Sequence, residues 1–284
     1  MKIEKIINNN VVSAFDEEEK ELVIMGRGIA FQKKVGDVID EGKIEKIFKL
    51  ESKGLAEKFK QVLNEISLGC MEVSEEIIQH AKMNLGRKLN EAIYISLTDH
   101  IHHAIERHKK GMSIKSGLLW ETKRIYKDEF QIGKEALKII DKRLGVALPE
   151  DEAAFIALHF VNAQLNEELP TVAKMTRMIQ EILNIVRYHF KVDFDEESLY
   201  YYRFVTHLKF FAQRLFDNSS LSNEDNSLYE TVKNKYVEAY QCTEKIKVYL
   251  GKEYSYLLSN EEMIYLIIHI ERLTKKVIYK LKTY

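Results

Sequence analysis

The spacing of apolar residues along the chain changes near residue 50. Before that point they form short runs rich in β-branched side chains, as strands do: KIEKII (2–7), VVSAF (11–15), ELVIM (21–25) and KIEKIF (43–48). The segment DEEEK (16–20) predicts a hairpin connection between the second and third runs. We therefore expect a small four-stranded antiparallel sheet. Because so few strands bury little surface alone, we expect this domain to form a homodimer.

From about residue 55 onward, apolar residues recur at spacings of three and four, which is the pattern of amphipathic helices. Only two prolines, Pro149 and Pro170, occur in the whole chain. Helices are predicted over about 56–67, 74–86, 89–108, 117–128, 134–144, 151–165, 171–190, 196–216, 227–250 and 260–278. The sequence therefore predicts a multidomain protein in which an all-β domain precedes all-α bundles.

The helical region contains an internal repeat with an offset of about 110 residues. LPEDEAAFIALH (148–159) aligns with LSNEEMIYLIIH (258–269), and SLTDHIHHAIERH (96–108) aligns with RFVTHLKFFAQRL (203–215). Each copy thus places two histidines on two different predicted helices. Ser259 and Glu262 form a capping-box motif, and Pro149 begins the corresponding helix of the first copy.

Composition and charge exclude several classes of protein. The 284 residues carry 43 Lys and Arg against 44 Asp and Glu, so the bulk charge gives no support for nucleic-acid binding. The two cysteines, Cys70 and Cys242, lack CxxC spacing, which argues against a zinc ribbon or a disulfide framework. No signal peptide and no membrane insertion are expected, so we expect a cytoplasmic protein.

One short segment departs from this balance. GRGIAFQKK (26–34) contains three basic residues and no acidic one. Glycines let a backbone approach RNA closely, an arginine fork meets guanine edges or phosphate, and an aromatic ring stacks on a base. The alternative is structural: Gly26 and Gly28 make a tight turn, Phe31 belongs to the core, and nearby asparagines cap a bend.

The four repeated histidines, His100, His159, His207 and His269, allow three interpretations. A histidine on an apolar helical face is most often a hydrogen-bonded core residue. A metal site is the second possibility, but no HExxH or cysteine cluster accompanies the histidines. The third is phosphoryl acceptance, because neutral imidazole is a nucleophile and the added negative charge at a helix interface makes a switch.

The chain resembles the BglG/SacY-type family of transcriptional antiterminators over essentially its whole length. The resemblance rests on MKIEKIINNNV, MGRGIAFQKK, MEVSEEII, LTDHI, LLWETKRIYKDEFQIGKEAL, LPEDEAAFIALH and YYRFVTHLKFFAQRL, which occur in this order. It implies a co-antiterminator RNA-binding domain at 1–55 and two domains regulated by the phosphotransferase system (PTS), at 56–169 and 170–284. It also implies a regulator, not an enzyme, without metal or cofactor.

The resemblance further implies how the protein works. A homodimer of the first domain would bind a hairpin in nascent leader mRNA and so prevent a terminator from forming in a sugar-utilisation operon, in particular one for β-glucosides. The phosphocarrier protein HPr and a sugar-specific enzyme II permease would phosphorylate the regulatory domains, with inhibition through the first copy and activation through the second.

Site residues also follow from the resemblance, position by position. The implied RNA contacts are Lys5, Asn10, Gly26, Arg27, Phe31 and Gln32, and the implied phosphorylation sites are His100, His159, His207 and His269. Two alternatives remain open at this point. A PTS-regulated DNA-binding activator would need a helix-turn-helix module, for which the strand-rich first 50 residues leave no room, and a helical metal-binding protein would need converging ligands.

Overall fold

The computed structural model describes residues 1–49, 66–167, 169–217 and 226–282. Within these ranges, four strands are followed by ten α-helices, which confirms the predicted fold class. The elements form two compact units, residues 1–119 with 126–167 and residues 120–125 with 168–284. The helix predicted over about 56–67 lies almost wholly outside the described residues.

The N-terminal sheet is antiparallel with its strands in sequence order. The strands are β1 (Lys5–Asn8), β2 (Val11–Phe15), β3 (Glu21–Met25) and β4 (Lys46–Lys49). The predicted bounds of the second and third strands are confirmed, and the amide of Asp16 donates to the carbonyl of Lys20 (2.9 Å) in the predicted hairpin connection. The first and last strands begin later than predicted, because Lys2 forms only an isolated bridge and residues 41–43 form a 3₁₀ turn.

Both faces of the sheet are apolar, and each face packs against a different part of the chain. One face packs against the loop that follows β3, in the cluster Ile3, Val12, Ala14, Leu22, Ile24, Ile29, Ala30 and Ile39. The opposite face contributes Val11, Val23, Met25 and Phe48 to the core of the helices that follow in the same unit. Neighbouring residues of β2, such as Val11 and Val12, thus point into two different cores, which explains why this strand carries apolar residues on both faces.

The first unit contains a bundle of four main helices. They are α1 (Leu68–Leu85), α2 (Ile93–Lys109), α4 (Lys127–Leu144) and α5 (Glu150–Leu165). A short helix, α3 (Leu119–Ile125), precedes α4 in the sequence, and its residues 120–125 belong to the second unit. Ser67 caps α1 through its hydroxyl, and Gly86 and Gly145 end α1 and α4 in the left-handed conformation. The sequence predicted one helix to residue 128 and the next from residue 134. The backbone breaks at Tyr126 (φ −120°) instead, and α4 begins at Lys127.

The second unit repeats this arrangement. Its helices are α6 (Leu169–Phe190), α7 (Leu199–Phe216), α8 (Asn226–Lys235), α9 (Val237–Tyr254) and α10 (Asn260–Lys282). The prediction of one helix over 227–250 is wrong, since the backbone breaks at Tyr236 (φ −120°), the counterpart of Tyr126 at an offset of 110. The capping box is confirmed: the Ser259 hydroxyl accepts from the Glu262 amide, and Glu262 accepts from the Ser259 amide.

The helices of each copy contact one another in the same cyclic order. In the first copy α1 packs on α2, α2 on α5, α5 on α4 and α4 on α1; in the second copy α6, α7, α10 and α9 repeat that ring. The two helices that carry the histidines, α2 with α5 and α7 with α10, are therefore neighbours in each bundle. The internal repeat of the sequence thus corresponds to a repeat of the fold.

Candidate functional site

The first pair of histidines meets between α2 and α5. The ring centroids of His100 and His159 lie 4.9 Å apart. His159 is only 5% exposed, and burial, together with the neighbouring His100, lowers its pKa to about 3. The ring of His159 is therefore neutral near pH 7, which is the form of imidazole that acts as a nucleophile.

A buried carboxylate lies beside this pair. Glu152, 3% exposed, stands two helical turns before His159, and its Oε1 accepts a hydrogen bond from Arg107 Nη2 (3.1 Å). Its Oε2 lies 3.0 Å from His100 Nε2, a short electrostatic contact that lacks the geometry of a directed hydrogen bond. Burial opposes ionisation of Glu152, but His100 and Arg107 outweigh it and hold the pKa of this carboxyl below its ordinary value.

The second pair meets between α7 and α10. The ring centroids of His207 and His269 are 4.1 Å apart, and the Tyr265 ring lies 4.9 Å from that of His207. Burial, assisted by His207 and two arginines, lowers the pKa of His269 to about 4. Burial, followed by Arg203 and Arg214, also lowers the pKa of His207. Both rings of this second pair are therefore neutral near pH 7.

Open space adjoins the second pair. A cavity of about 280 Å³ is lined by aromatic and aliphatic side chains, by Arg214 and by both histidines. Glu262, the counterpart of Glu152, also lines the cavity, but it accepts hydrogen bonds from the Tyr256 hydroxyl (2.8 Å) and from Ser259. The two copies therefore present the same histidine pair in two different electrostatic surroundings.

The structure brings the four histidines, which the sequence had placed only on different helices, together two by two. The role of Arg107 was missed, although a signal was present: Arg107 stands seven residues after His100 and therefore shares its face of α2. Within the described ranges, no three His, Cys, Asp or Glu side chains converge as a metal site would require.

The segment 26–34 folds into successive tight turns after β3. The amides of Ile29, Phe31 and Lys33 donate to the carbonyls of Gly26, Gly28 and Ala30, and Gly28 adopts a left-handed φ of +61°. Asn10 fastens the first of these turns, because its Oδ1 accepts from the amide of Gly28 (2.9 Å). These turns leave Arg27, Phe31 and Gln32 exposed, while Ile29 and Ala30 pack into the core beneath the loop.

The predicted RNA contacts differ in how accessible they are. The side chains of Arg27 and Phe31 are 74% and 60% exposed, and Lys5 and Gln32 are exposed as well. The structural alternative that placed Phe31 in the core is wrong. Asn10 is half-buried, and Gly26 is buried at a point where a Cβ would overlap the carbonyl oxygen of Lys43. Four of the six residues are thus exposed at the protein surface, while Asn10 and Gly26 support the backbone of the loop.

Helices of the first bundle approach this surface from one side. Arg27 Nη2 lies 3.2 Å from Glu72 Oε1 on α1, and Lys46 pairs with Glu75 on the same helix. The Arg27–Glu72 pair contributes little stability, because the arginine is largely exposed. Most of Arg27 remains accessible. None of the described helices is both long and apolar enough to cross a lipid bilayer.

Comparison with known proteins identifies both parts of the chain. Residues 1–57 match the CAT RNA binding domain, and residues 75–163 and 180–273 each match the PRD domain, in agreement with the internal repeat. The chain is 61% identical to the transcription antiterminator LicT of Bacillus subtilis (strain 168), covering 97% of this chain and 100% of LicT. It is 53% identical to the beta-glucoside operon antiterminator of Dickeya chrysanthemi, covering 96% of each.

A solved structure agrees with the sequence relatives. The crystal structure of GlcT CAT-PRDI superposes with a TM-score of 0.50 at 37% sequence identity, and it covers 57% of this chain and 97% of that chain. The match therefore extends over the sheet and a helical bundle together.

Proposed function

This chain belongs to the BglG/SacY-type family of transcriptional antiterminators, and from that membership we propose that it binds a hairpin in nascent leader mRNA as a homodimer. It is a regulator and not an enzyme. By holding the hairpin, it prevents the overlapping terminator from forming. The operon encodes sugar utilisation, and the 53% identity to a beta-glucoside operon antiterminator favours β-glucosides.

The RNA surface consists of the loop after β3 and the neighbouring end of β1. Arg27 offers a planar fork for a guanine edge or a phosphate, Phe31 stacks on an unpaired base, and Gln32 and Lys5 add an amide and a positive charge. Their exposure supports this assignment. Asn10 and Gly26 hold the backbone of the loop in place.

Three segments of the chain have different roles. Residues 1–55 form the RNA-binding domain, residues 56–169 the first PTS-regulated domain and residues 170–284 the second. The RNA-binding domain acts as a dimer, which doubles the small basic surface of one sheet. The protein acts in the cytoplasm, where nascent mRNA and phosphocarrier proteins are both present.

His100, His159, His207 and His269 accept phosphoryl groups from HPr and from a sugar-specific enzyme II permease. The observation that carries this proposal is the pairing of the histidines: in each bundle two rings lie within 5 Å between neighbouring helices. A lowered pKa keeps His159, His207 and His269 neutral and nucleophilic near pH 7. Phosphorylation of the first pair inhibits antitermination and that of the second activates it.

In vitro transcription through the leader of the protein's own operon tests the proposal. Read-through of the terminator should rise with the unmodified protein, rise further when phosphoenolpyruvate, enzyme I and HPr are added, and lose that further rise in His207→Ala and His269→Ala. His108→Ala, which removes an exposed histidine of α2, serves as the control. Read-through that ignores both the protein and the phosphocarriers would contradict the proposal.

A further inference from the structure

The two copies differ in how they hold one buried carboxylate. Glu152 and Glu262 occupy equivalent positions, seven residues before His159 and His269, and each is 3% exposed. Burying a carboxylate is costly unless donors or cations surround it, so each copy must provide partners for it. The partners that the two copies provide are of different kinds.

In the second copy, neutral donors close to the start of α10 hold Glu262. The Ser259 amide lies 3.0 Å from Oε2, the Ser259 hydroxyl 3.2 Å from the same atom, and the Tyr256 hydroxyl 2.8 Å from Oε1. These bonds form a capping box with one additional donor. They keep the carboxylate at the helix terminus.

In the first copy, the same donors are missing from the sequence. At the offset of 110, Pro149 replaces Ser259 and Val146 replaces Tyr256. A proline has neither an amide hydrogen nor a hydroxyl, and valine has no polar atom. Glu152 therefore cannot be capped as Glu262 is, and it contacts Arg107 and His100 instead, at 3.1 Å and 3.0 Å.

We propose that Glu152 is a built-in anion that takes the place of a phosphoryl group beside His100 and Arg107, so that the first histidine pair accepts phosphate less readily than the second. The inference rests on the proposed function, since it concerns the same histidines. Glu152 is then a specificity-determining residue that acts through Arg107. Pro149 and Val146 leave the Glu152 carboxylate without capping donors, so that it contacts His100 and Arg107 instead.

The transfer itself explains why the carboxylate matters. The unprotonated ring nitrogen of His100 attacks the phosphorus of a phosphohistidine donor, a new N–P bond forms, and the donor's N–P bond breaks with its electron pair remaining on the donor imidazole. The acceptor ring gives up the proton of its other nitrogen, which balances the proton that the donor imidazole takes up. The phosphoryl group arrives with about two negative charges.

Those charges meet opposite surroundings in the two copies. At His207 the phosphoryl group approaches Arg203 and Arg214, which lie close enough to affect the pKa of that ring. At His100 it approaches a buried carboxylate, and it must compete with that carboxylate for Arg107. Once phosphorylated, the first copy therefore holds two anions and one arginine in a buried site, which favours separation of α2 from α5.

Phosphorylation of the full chain by phosphoramidate tests the proposal, because this small donor bypasses any docking of a carrier protein. Occupancy of each histidine is followed over time by mass spectrometry of peptides kept at neutral to alkaline pH. In the unmodified protein we expect the second pair to be labelled first. Glu152→Gln should speed labelling of the first pair at least tenfold and leave the second pair unchanged.

Matched variants control for charge and for folding. Glu152→Asp keeps the negative charge and should keep the slow labelling, whereas Glu262→Gln should leave the first pair unaffected. The double variant Ser259→Pro/Tyr256→Val gives the second copy the surroundings of the first and should slow its labelling. This variant tests the proposal even in the case where Glu152→Gln does not fold.

The outcomes distinguish a failure of the inference about Glu152 from a failure of the proposed function. If the first pair in Glu152→Gln is labelled at the original rate or more slowly while the second pair is labelled normally, Glu152 does not restrain phosphorylation and the inference is wrong, although the histidines remain acceptors. If no histidine is labelled either by phosphoramidate or by phosphoenolpyruvate with enzyme I and HPr, the proposed regulation itself is wrong.

Discussion

Replacement of Gly26 by alanine tests whether this glycine serves the packing of the backbone. A Cβ at this position would overlap the carbonyl oxygen of Lys43 and lie 2.9 Å from its carbonyl carbon. Neither atom belongs to a flexible side chain, so the segment that leads into β4 must move. Two backbone hydrogen bonds flank the contact, from Glu45 to Met25 and from Gly26 to Asn10, both 2.9 Å.

The expected cost follows from these contacts. Overpacking of a close backbone contact costs about 1–3 kcal/mol, and loss of one of the flanking hydrogen bonds adds about 1 kcal/mol. Gly26→Ala should therefore lower the opening free energy of the sheet by about 2–4 kcal/mol. Gly42→Ala is the matched control in the same segment, because its Cβ would meet only Asp40 Oδ1 at 3.4 Å, an ordinary contact.

Hydrogen–deuterium exchange of the full chain measures this difference directly. Amides of β3 and β4 should exchange on the order of 100-fold faster in Gly26→Ala, since each 1.4 kcal/mol changes the opening constant tenfold. Gly42→Ala should stay within a few-fold of the unmodified protein. Equal exchange rates in the two variants would refute the assignment of Gly26 to backbone packing.

Two further predictions concern the helical bundles. Gly133→Ala should destabilise the first bundle by about 2 kcal/mol in urea denaturation, despite the better helix propensity of alanine, because its Cβ would overlap the Ala153 carbonyl between α4 and α5. Gly69→Ala is the control and should cost little stability, because its Cβ faces a movable leucine methyl group. An equal loss of stability in both variants would contradict this reasoning. The second prediction uses His159, whose pKa falls from its ordinary value of 6.5 to about 3 on folding. Between these two pKa values the unfolded chain binds a proton that the folded chain does not, so the free energy of unfolding should fall by about 1 kcal/mol as the pH is lowered from 7.5 to 5.5. His159→Gln should remove that part of the pH dependence. An unchanged pH dependence in His159→Gln would show that other groups cause it.

Local sequence patterns predicted the elements whose contacts are themselves local. The bounds of β2 and β3 follow from two short, mainly apolar runs separated by an acidic turn, and the capping box at Ser259 lies within four residues. The break at Tyr236 could not be read from helical periodicity, because apolar residues continue in register on both sides of it. The first and last strands each begin three residues later than predicted for a related reason, since turns and bridges with distant residues decide where they begin.

The candidate sites show the same division between local and distant information. The repeat predicted equivalent histidines in the two copies, but that the two rings of each copy meet required the structure, because α2 with α5 and α7 with α10 are distant in sequence. The contact of Glu152 with Arg107 joins residues 45 positions apart, and the role of Gly26 depends on Lys43, which lies in another element. The exchange of Ser259 for Pro149 between the copies was visible in the sequence, but its effect on the neighbouring carboxylate required the structure.

The central claim is that the N-terminal sheet binds leader RNA through the loop after β3. The most direct measurement is the affinity of the full chain for the leader hairpin of its own operon, at one fixed salt concentration, for the unmodified protein, Arg27→Ala and Lys20→Ala. We expect Arg27→Ala to lose about 1–3 kcal/mol of binding free energy, and Lys20→Ala, which removes the same charge from the β2–β3 turn, to lose far less. Equal affinities of all three proteins, or equal binding to a scrambled hairpin, would contradict it.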